Sequence, residues 1–134
     1  YTLSLHDALP ISGHNVDGIK YVCGHLDFLH QKFNQELHIV FGMVNDKDIS
    51  SVLQELPKDA TYYFTKASVK RALPENELLA LAEEAGLKGT TYPTVVEAVQ
   101  AAKKNCPPKD LIFVGGSSFI VADLLANRDT LNLY

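Results

Sequence analysis

Continuous apolar runs, rather than alternating ones, are the feature of this sequence that most restricts its fold. LHIVFGMV covers residues 37–44, and DLIFVGG covers residues 110–116. A strand that buries one face alternates apolar and polar residues, whereas a strand buried on both faces is apolar nearly throughout. The two runs therefore predict central strands of a sheet that is covered on both sides.

Segments with helical periodicity separate these strands. Apolar residues between Val16 and Phe33 recur at three- and four-residue steps, which predicts a long amphipathic helix. Further helices are predicted in NDKDISSVLQELP, LPENELLALAEEAG, TVVEAVQAAKKN and SSFIVADLLAN, and further strands in ATYYFT and KGTTYP. Alternating strands and helices predict an α/β, Rossmann-like fold, with a mainly parallel sheet and helices on both faces.

Several predicted helices carry residues that are typical of helix ends. Asp48 is placed to cap the first of the four shorter helices, and Gly86 follows the second. Thr94 is followed three residues later by Glu97, which is the pattern of a capping box. These residues predict where the helices begin and end more closely than the apolar periodicity does.

Composition and charge exclude several classes of function. The 134 residues are 46% hydrophobic and 21% charged, as expected for one globular domain. The net charge of −4 comes with no basic stripe, so no nucleic-acid partner is expected. No apolar run reaches the roughly 18 residues that span a bilayer, so no membrane partner is expected either. Two widely separated cysteines, Cys23 and Cys106, predict reduced thiols and a cytoplasmic protein.

Three segments fall where ligands bind in such sheets, outside the carboxyl ends of the strands. They run from Gly13 to Asn15, from Gly42 to Asp48 and from Gly115 to Ser118. Each also has a structural interpretation, since glycine suits tight turns and Asn and Asp cap helices. For each segment taken alone, the structural interpretation is favoured over ligand contact.

Acidic and hydroxyl residues in these segments have two interpretations. Asp46 and Asp48 are hard oxygen ligands that could reach a magnesium ion, but capping of the next helix is favoured, so no metal site is predicted. Ser117 and Ser118 lie at a strand-to-helix turn where an anion could be held. The chain nevertheless has no G-x-x-x-x-G-K-[ST] loop with which to grip a triphosphate.

Basic residues supply the remaining candidates. Lys66, Lys70 and Arg71 form a basic patch in a stretch, residues 61–73, that contains no acid. The patch could meet a phosphate or a poly-acid substrate, but a solvated basic surface is favoured. His14 could contact a nucleotide, act as a general base or cap the helix that follows. Because no Ser or Cys nucleophile is recognisably paired with it, a hydrolase is not expected, and no catalytic residue is predicted in this chain.

The histidines that follow Asn15 show no paired metal-ligand spacing. Surface or packed roles are therefore expected for them, including His38 within the first apolar run.

Four segments together resemble a known family. GHNVDGIKYV, FGMVNDKDISSVLQELP, TKASVKRALPENEL and LIFVGGSSFIVADLL are similar, in order and spacing, to the C-terminal domain of dihydrofolate synthase/folylpolyglutamate synthase, of the Mur-ligase superfamily. The resemblance covers about Gly13 to Leu125. Its most specific element is GMVNDKD, and RALP before an acidic helix start is also typical of the folate branch.

The resemblance implies an ATP-dependent ligase. In such enzymes ATP with magnesium phosphorylates a carboxylate, and the amino group of glutamate attacks the acyl phosphate to form an amide. The implied substrates are ATP, L-glutamate and pteroate or folate. The P-loop and the magnesium ligands belong to an N-terminal ATP-binding domain that is absent from this chain. The C-terminal domain is expected to close over ATP and help place glutamate, and to be inactive alone.

Few functional residues carry over from the family. Its motif at the first strand end is close to D-x-x-H-N, and His14 and Asn15 match it, which implies nucleotide binding. The aspartate is expected at position 11, where this chain has Ile11. Arg71 matches a recurrent arginine, and with Lys66 it is a candidate for substrate or phosphate contact.

Residues 1–12 do not fit the rest of the chain. YTLSLHDALPIS resembles the translated sequence of a sequencing-library adapter, so we expect it to be non-native and residues 13–134 to form the domain. A native aspartate-bearing strand is then expected before Gly13, and ALPIS is apolar enough to lie beside the sheet in its place.

Two other interpretations stay open at this stage. One is the C-terminal domain of a peptidoglycan Mur ligase, and the other is a stand-alone Rossmann-like binding module. A Gly-Lys-Ser or Gly-Lys-Thr loop encoded upstream would favour a ligase over a simple module.

Overall fold

The computed structural model describes residues 2–3, 8–9, 36–44, 49–105, 111–116, 118–127 and 129–130. In these ranges the strands are β1 (Thr2–Leu3), β2 (Ala8–Leu9), β3 (Leu37–Gly42), β4 (Thr61–Phe64), β5 (Gly89–Thr91) and β6 (Leu111–Gly116). The helices are α1 (Ile49–Glu55), α2 (Glu75–Glu84), α3 (Val95–Asn105) and α4 (Ser118–Ala126). Every strand and helix predicted from residue 37 onward is confirmed, with ends shifted by one to a few residues. The predicted helix between Val16 and Phe33 lies outside the described residues.

The strands form one sheet in the order β2-β1-β6-β3-β4-β5. β3 lies at its centre and pairs in parallel with β6 on one side and β4 on the other, and β5 continues the parallel arrangement beyond β4. The prediction of a mainly parallel α/β sheet is confirmed.

Side chains of the central strands alternate between two hydrophobic layers. Ile39 and Phe41 pack with residues of α1 and α2, whereas Val40 packs with residues of α3 and α4. The predicted placement of helices on both faces is therefore confirmed. All residues of β3 are buried, which explains its continuous apolar run. Each large apolar side chain buried in this way contributes about 1.5–3 kcal/mol.

His38 is a polar residue inside that apolar strand, and Tyr63 of β4 accommodates it. Its Nδ1 lies 3.0 Å from the Tyr63 hydroxyl, within hydrogen-bonding distance. The two rings also stack with their centroids 6.1 Å apart. Of the surface or packed roles expected for His38, the structure shows the packed one. The hydrogen bond offsets the cost of burying a ring nitrogen.

The C-terminus of α2 has the geometry that its glycine predicts. Gly86 has a φ of 86°, in the left-handed region that favours glycine. The Leu87 N–H donates to the Ala82 carbonyl at 2.9 Å, and the Gly86 N–H donates to the Glu83 carbonyl at 3.1 Å. These two bonds form a Schellman motif, which satisfies carbonyls that the helix leaves unpaired.

The N-terminus of α3 carries half of the predicted capping box. The Glu97 N–H donates to Thr94 Oγ1 at 3.2 Å, as the motif requires. The Glu97 carboxylate, however, accepts a hydrogen bond from the Thr94 hydroxyl at 3.3 Å. Thr94 is thus the predicted N-cap. Its second contact with Glu97 uses the Thr94 hydroxyl, whereas a capping box uses the backbone N–H of the N-cap residue.

The first residues of the chain add an antiparallel edge to the sheet. Thr2–Leu3 pairs with β6, and Ala8–Leu9 pairs with Thr2–Leu3. We expect ALPIS to lie beside the sheet, and Ala8 and Leu9 of that segment do so. They form the outermost strand, with Thr2 and Leu3 between them and β6. None of the helices in the described ranges is long and apolar enough to cross a membrane.

Candidate functional site

Three parallel strands end side by side and define one edge of the sheet. Gly42 at the end of β3 lies opposite Gly116 at the end of β6, and Phe41 lies opposite Phe64 at the end of β4. We call this the carboxyl-end edge. Sheets of this class bind ligands at this edge, so it is the place to look for a site.

Two glycines at the carboxyl-end edge are required by close packing. Gly116 has a φ of 101°, and a Cβ on it would overlap the carbonyl oxygen of Gly42. A Cβ on Gly42 would lie 2.5 Å from Ile120 Cδ1 and 2.5 Å from the Thr65 carbonyl oxygen. Real Cβ atoms do not come so close, so packing explains both glycines. This is the structural interpretation that the sequence favoured for these positions.

The connection from β4 to α2 crosses the same edge, and we call residues 65–74 the basic loop. The Thr65 N–H donates to the Phe41 carbonyl at 3.0 Å, which fixes the start of the loop to β3. The Leu73 N–H donates to the Met43 carbonyl at 2.8 Å, which fixes its end to the residue after β3. Both ends of the loop are therefore attached at the carboxyl end of the central strand.

The three predicted basic residues lie on this loop. Lys66, Lys70 and Arg71 are all exposed. The structure thus brings Lys66 and Arg71 to the carboxyl-end edge on one short segment that contains no acid. Cationic side chains grouped in this way create a local field that attracts phosphates and carboxylates.

Helix α4 holds the middle of the basic loop through one carboxylate. The Ser68 N–H donates to Asp123 Oδ2 at 2.8 Å, and the Ser68 hydroxyl donates to Asp123 Oδ1 at 2.9 Å. Both carboxylate oxygens are used by the same residue. Two short bonds from one residue to the two oxygens of one carboxylate fix the position of Ser68 relative to α4.

Sequence reasoning missed Asp123, although a signal was present. Asp123 is the only charged residue of α4, whose sequence is SFIVADLLA. A single carboxylate among apolar residues of a helix is a candidate for a specific polar contact with a neighbouring segment. The identity of that partner, Ser68, was not readable because it lies on a different segment.

Two buried oxygens of the described residues have no hydrogen-bond partner. One is the hydroxyl of Thr65, a fully buried residue at the carboxyl-end edge, and the other is Oε2 of Glu75 at the start of α2. A buried polar atom without a partner costs about 1–3 kcal/mol. Sequence reasoning did not single out either residue.

The remaining predicted site residues lie outside the described residues. They are His14, Asn15, Asp46, Asp48 and Ser117, so their roles stay predictions. Ser118 is the first residue of α4. Across the described ranges, no group of three or more His, Cys, Asp or Glu side chains could hold a metal ion.

Comparison with known proteins identifies relatives of this chain. The family model described as "Mur ligase, glutamate ligase domain" matches residues 12–118. A dihydrofolate synthase/folylpolyglutamate synthase from Buchnera aphidicola is 31% identical over 124 residues, which cover 90% of this chain and 28% of that protein. A probable bifunctional folylpolyglutamate synthase/dihydropteroate synthase from Haloferax volcanii is 31% identical over 113 residues, covering 82% and 13%.

A solved structure with the same fold belongs to the same group. FolC from E. coli, in complex with DHPP and ADP, matches with a TM-score of 0.79 and 25% identity, covering 90% of this chain and 28% of that one. The resemblance to the C-terminal domain of the folate-branch enzymes is confirmed by these matches. The chain spans just over a quarter of the length of the Buchnera and E. coli proteins.

Proposed function

This chain belongs to the Mur ligase family as a glutamate ligase domain, and from that premise we propose that its parent is an ATP-dependent ligase of the folate branch. The parent adds L-glutamate to dihydropteroate or to folate, in the cytoplasm. The observation that carries the proposal is the 31% identity, over nearly the whole chain, with a dihydrofolate synthase/folylpolyglutamate synthase. Because this chain spans 28% of that relative, the activity is assigned to the complete enzyme.

The proposed reaction has two chemical steps. The substrate carboxylate takes the terminal phosphoryl group of ATP, which gives an acyl phosphate and ADP. The amino group of glutamate then attacks the acyl carbon, inorganic phosphate leaves, and an amide bond forms. Phosphoryl transfer depends on positioning and on stabilisation of charge by cations and metal ions. Among the described residues, the basic loop places cations at the carboxyl-end edge.

We assign this domain the task of completing the ligand site. Lys66 and Arg71 supply exposed positive charge at the carboxyl-end edge, which suits a phosphate or a carboxylate of the substrates. His14 and Asn15 are proposed to contact the nucleotide, as the family motif implies. The ADP bound to E. coli FolC supports nucleotide use by the parent enzyme.

The principal nucleotide machinery is proposed to lie in the parent's N-terminal ATP-binding domain. The chain contains no G-x-x-x-x-G-K-[ST] sequence, which is the loop whose backbone N–H groups hold the phosphates in many ATP-using enzymes. Magnesium, which neutralises phosphate charge during transfer, is proposed to be bound by that domain too. We therefore expect residues 1–134 alone to be inactive.

A ligation assay on the complete reading frame tests this function. The protein is incubated with radiolabelled L-glutamate, ATP, Mg²⁺ and either dihydropteroate or a reduced folate. We expect label in the pterin product with one ADP formed per glutamate, and no product when Mg²⁺ is omitted. A nucleotide-linked muropeptide serves as the competing acceptor.

The assay has two outcomes that contradict the proposal. Ligation to the muropeptide without ligation to pterins would assign the parent to the peptidoglycan branch. Absence of ATP-dependent ligation with every acceptor would remove the ligase assignment. The 134-residue chain is the matched control, and Mg²⁺-dependent turnover by it would refute the proposed inactivity of this domain alone.

A further inference from the structure

We propose that Asp123 is a positioning residue that sets the conformation of the basic loop, so that its cations are held ready for an anionic substrate. The proposal rests on the function proposed above for Lys66 and Arg71. Asp123 lies on α4, and the proposed function gives it no contact with substrate or nucleotide. Its basis is the geometry between Ser68 and Asp123.

The backbone of the basic loop is fixed at its two ends and leaves a span between them. Thr65 and Leu73 are bonded to the carbonyls of Phe41 and Met43. The three cations lie inside this span, between the two attachments. Ser68 lies within it as well, between Ala67, which is buried in the layer of α3 and α4, and Val69, which packs on the same layer. The bonds from Asp123 therefore add a polar attachment to a span that apolar packing also holds.

Asp123 is carried by a helix that packs in the core. Its neighbours Ile120 and Leu124 are fully buried in the layer that α3 and α4 form against the sheet. Its own carbonyl accepts hydrogen bonds from Asn127, at 3.2 Å from the backbone N–H and at 2.8 Å from Nδ2. The position of the carboxylate is therefore set by the packing of α4, in a layer that also includes Ala67 of the basic loop, and by the helix end.

The order of the loop depends on the geometry of the two hydrogen bonds rather than on the charge of Asp123. An exposed charge interaction is weak and screened by salt. The two short bonds to Ser68, in contrast, fix one backbone N–H and one side chain of the loop. An asparagine at position 123 would keep both contacts, because its oxygen accepts from the Ser68 N–H and its amide donates to the Ser68 hydroxyl. An alanine would keep neither.

Without this attachment, the loss of backbone entropy on ordering the loop would weaken substrate binding. A loop that is already ordered binds without further loss of backbone freedom, whereas a loosened loop must be ordered by the ligand. Ordering one additional residue corresponds to a loss of about tenfold in affinity. The expected signature is a higher KM with a nearly unchanged kcat, because the reacting groups themselves stay in place.

The first test measures order in the loop and does not depend on the function of the protein. Amide hydrogen exchange is followed at Ser68 and Leu73 in the 134-residue chain and in its Asp123→Ala and Asp123→Asn variants. We expect exchange at Ser68 to rise about tenfold in Asp123→Ala and to stay near the original rate in Asp123→Asn. Leu73, bonded to Met43, should be unaffected and is the internal control. Equal exchange at Ser68 in the alanine variant and the original chain would overturn the proposal.

The second test measures the consequence for catalysis in the complete ligase. KM values for ATP and L-glutamate are determined for the same two variants. We expect Asp123→Ala to raise at least one of them about tenfold with kcat within about twofold, and Asp123→Asn to restore it. Unchanged KM values in Asp123→Ala would overturn the positioning role. If the alanine variant does not fold, Ser68→Ala removes the side-chain bond alone and should give a smaller rise in the same KM.

The two tests separate this proposal from the proposed function. If the original complete enzyme ligates no glutamate, the proposed function fails, while hydrogen exchange still decides whether Asp123 orders the loop. If the enzyme is active and the loop is ordered by Asp123 but neither KM moves, the positioning role alone fails.

Discussion

The α-carbon of Gly116 is packed against the carbonyl oxygen of Gly42 where β6 and β3 end in register. Gly42 is also close to the Ile120 side chain of α4 and to the Thr65 carbonyl oxygen. Backbone and side-chain atoms therefore fill the space around these two strand ends. The edge therefore has no room for even one methyl group at these positions, and its strand ends are fixed by packing.

Gly116→Ala is expected to destabilise the chain by at least about 2 kcal/mol, because it combines a left-handed φ with a steric overlap. Gly86→Ala is the matched control. Gly86 also has a positive φ, but its Cβ would meet only the flexible Lys58 side chain, at 3.4 Å. That substitution should cost about 1 kcal/mol. Denaturant unfolding measures both, and equal losses would show that the packing at Gly116 is looser than described.

Thr65→Val should leave stability unchanged or raise it by up to about 1 kcal/mol. The Thr65 hydroxyl is buried without a partner among the described residues, and valine has nearly the same shape without the polar atom. Thr61→Val, at the exposed start of β4, is the control and should change stability by less than about 0.5 kcal/mol. A loss above about 1 kcal/mol for Thr65→Val in thermal unfolding would reveal a hydrogen bond that the hydroxyl makes.

Tyr63→Phe should destabilise the chain by about 1 kcal/mol, since it removes the hydroxyl that His38 Nδ1 contacts at 3.0 Å. Tyr92→Phe is the control. It removes the hydroxyl of a ring that lies 6.0 Å from the Tyr63 ring and leaves that ring contact in place. We expect a smaller loss for Tyr92→Phe in urea unfolding. The opposite order would mean that the His38 contact does not stabilise the sheet.

Arg71→Ala and Lys66→Ala should raise the KM of the complete ligase for an anionic substrate by about tenfold each, as expected when a charged hydrogen bond is lost. Their effect on stability should be below about 0.5 kcal/mol because both side chains are exposed. Lys88→Ala is the control, since Lys88 is exposed at the amino end of β5, on the opposite edge of the sheet. Steady-state kinetics that show equal KM changes in all three variants would exclude a specific role for the basic loop.

Much of the fold was predictable because its causes are local. The apolar run of β3, the glycine that ends α2 and the threonine that starts α3 each act on residues within a few positions. The attachment of Ser68 to Asp123 joins residues on different segments, and no local pattern encodes such a pair. The burial of Thr65 was unreadable for the same reason, since it depends on how β3 and α4 meet at Gly42.

The candidate site was only partly predictable. The basic loop was recognisable because Lys66, Lys70 and Arg71 stand close together in a stretch without acids. The nucleotide contacts at His14 and Asn15 were suggested by a family motif rather than by chemistry of their own. Their place in that motif depends on what stands at position 11, where this chain has Ile11.

Long-read sequencing of the source DNA across and upstream of the codon for Gly13 tests the central claim most directly. We predict an aspartate codon at position 11 within a strand-like segment, and a loop ending in Gly-Lys-Ser or Gly-Lys-Thr about 200 to 300 residues upstream. That result would make this chain the glutamate ligase domain of a complete ATP-dependent enzyme. A start codon directly before YTLSLHDALPIS in the genomic reads, with no such loop upstream, would contradict the account.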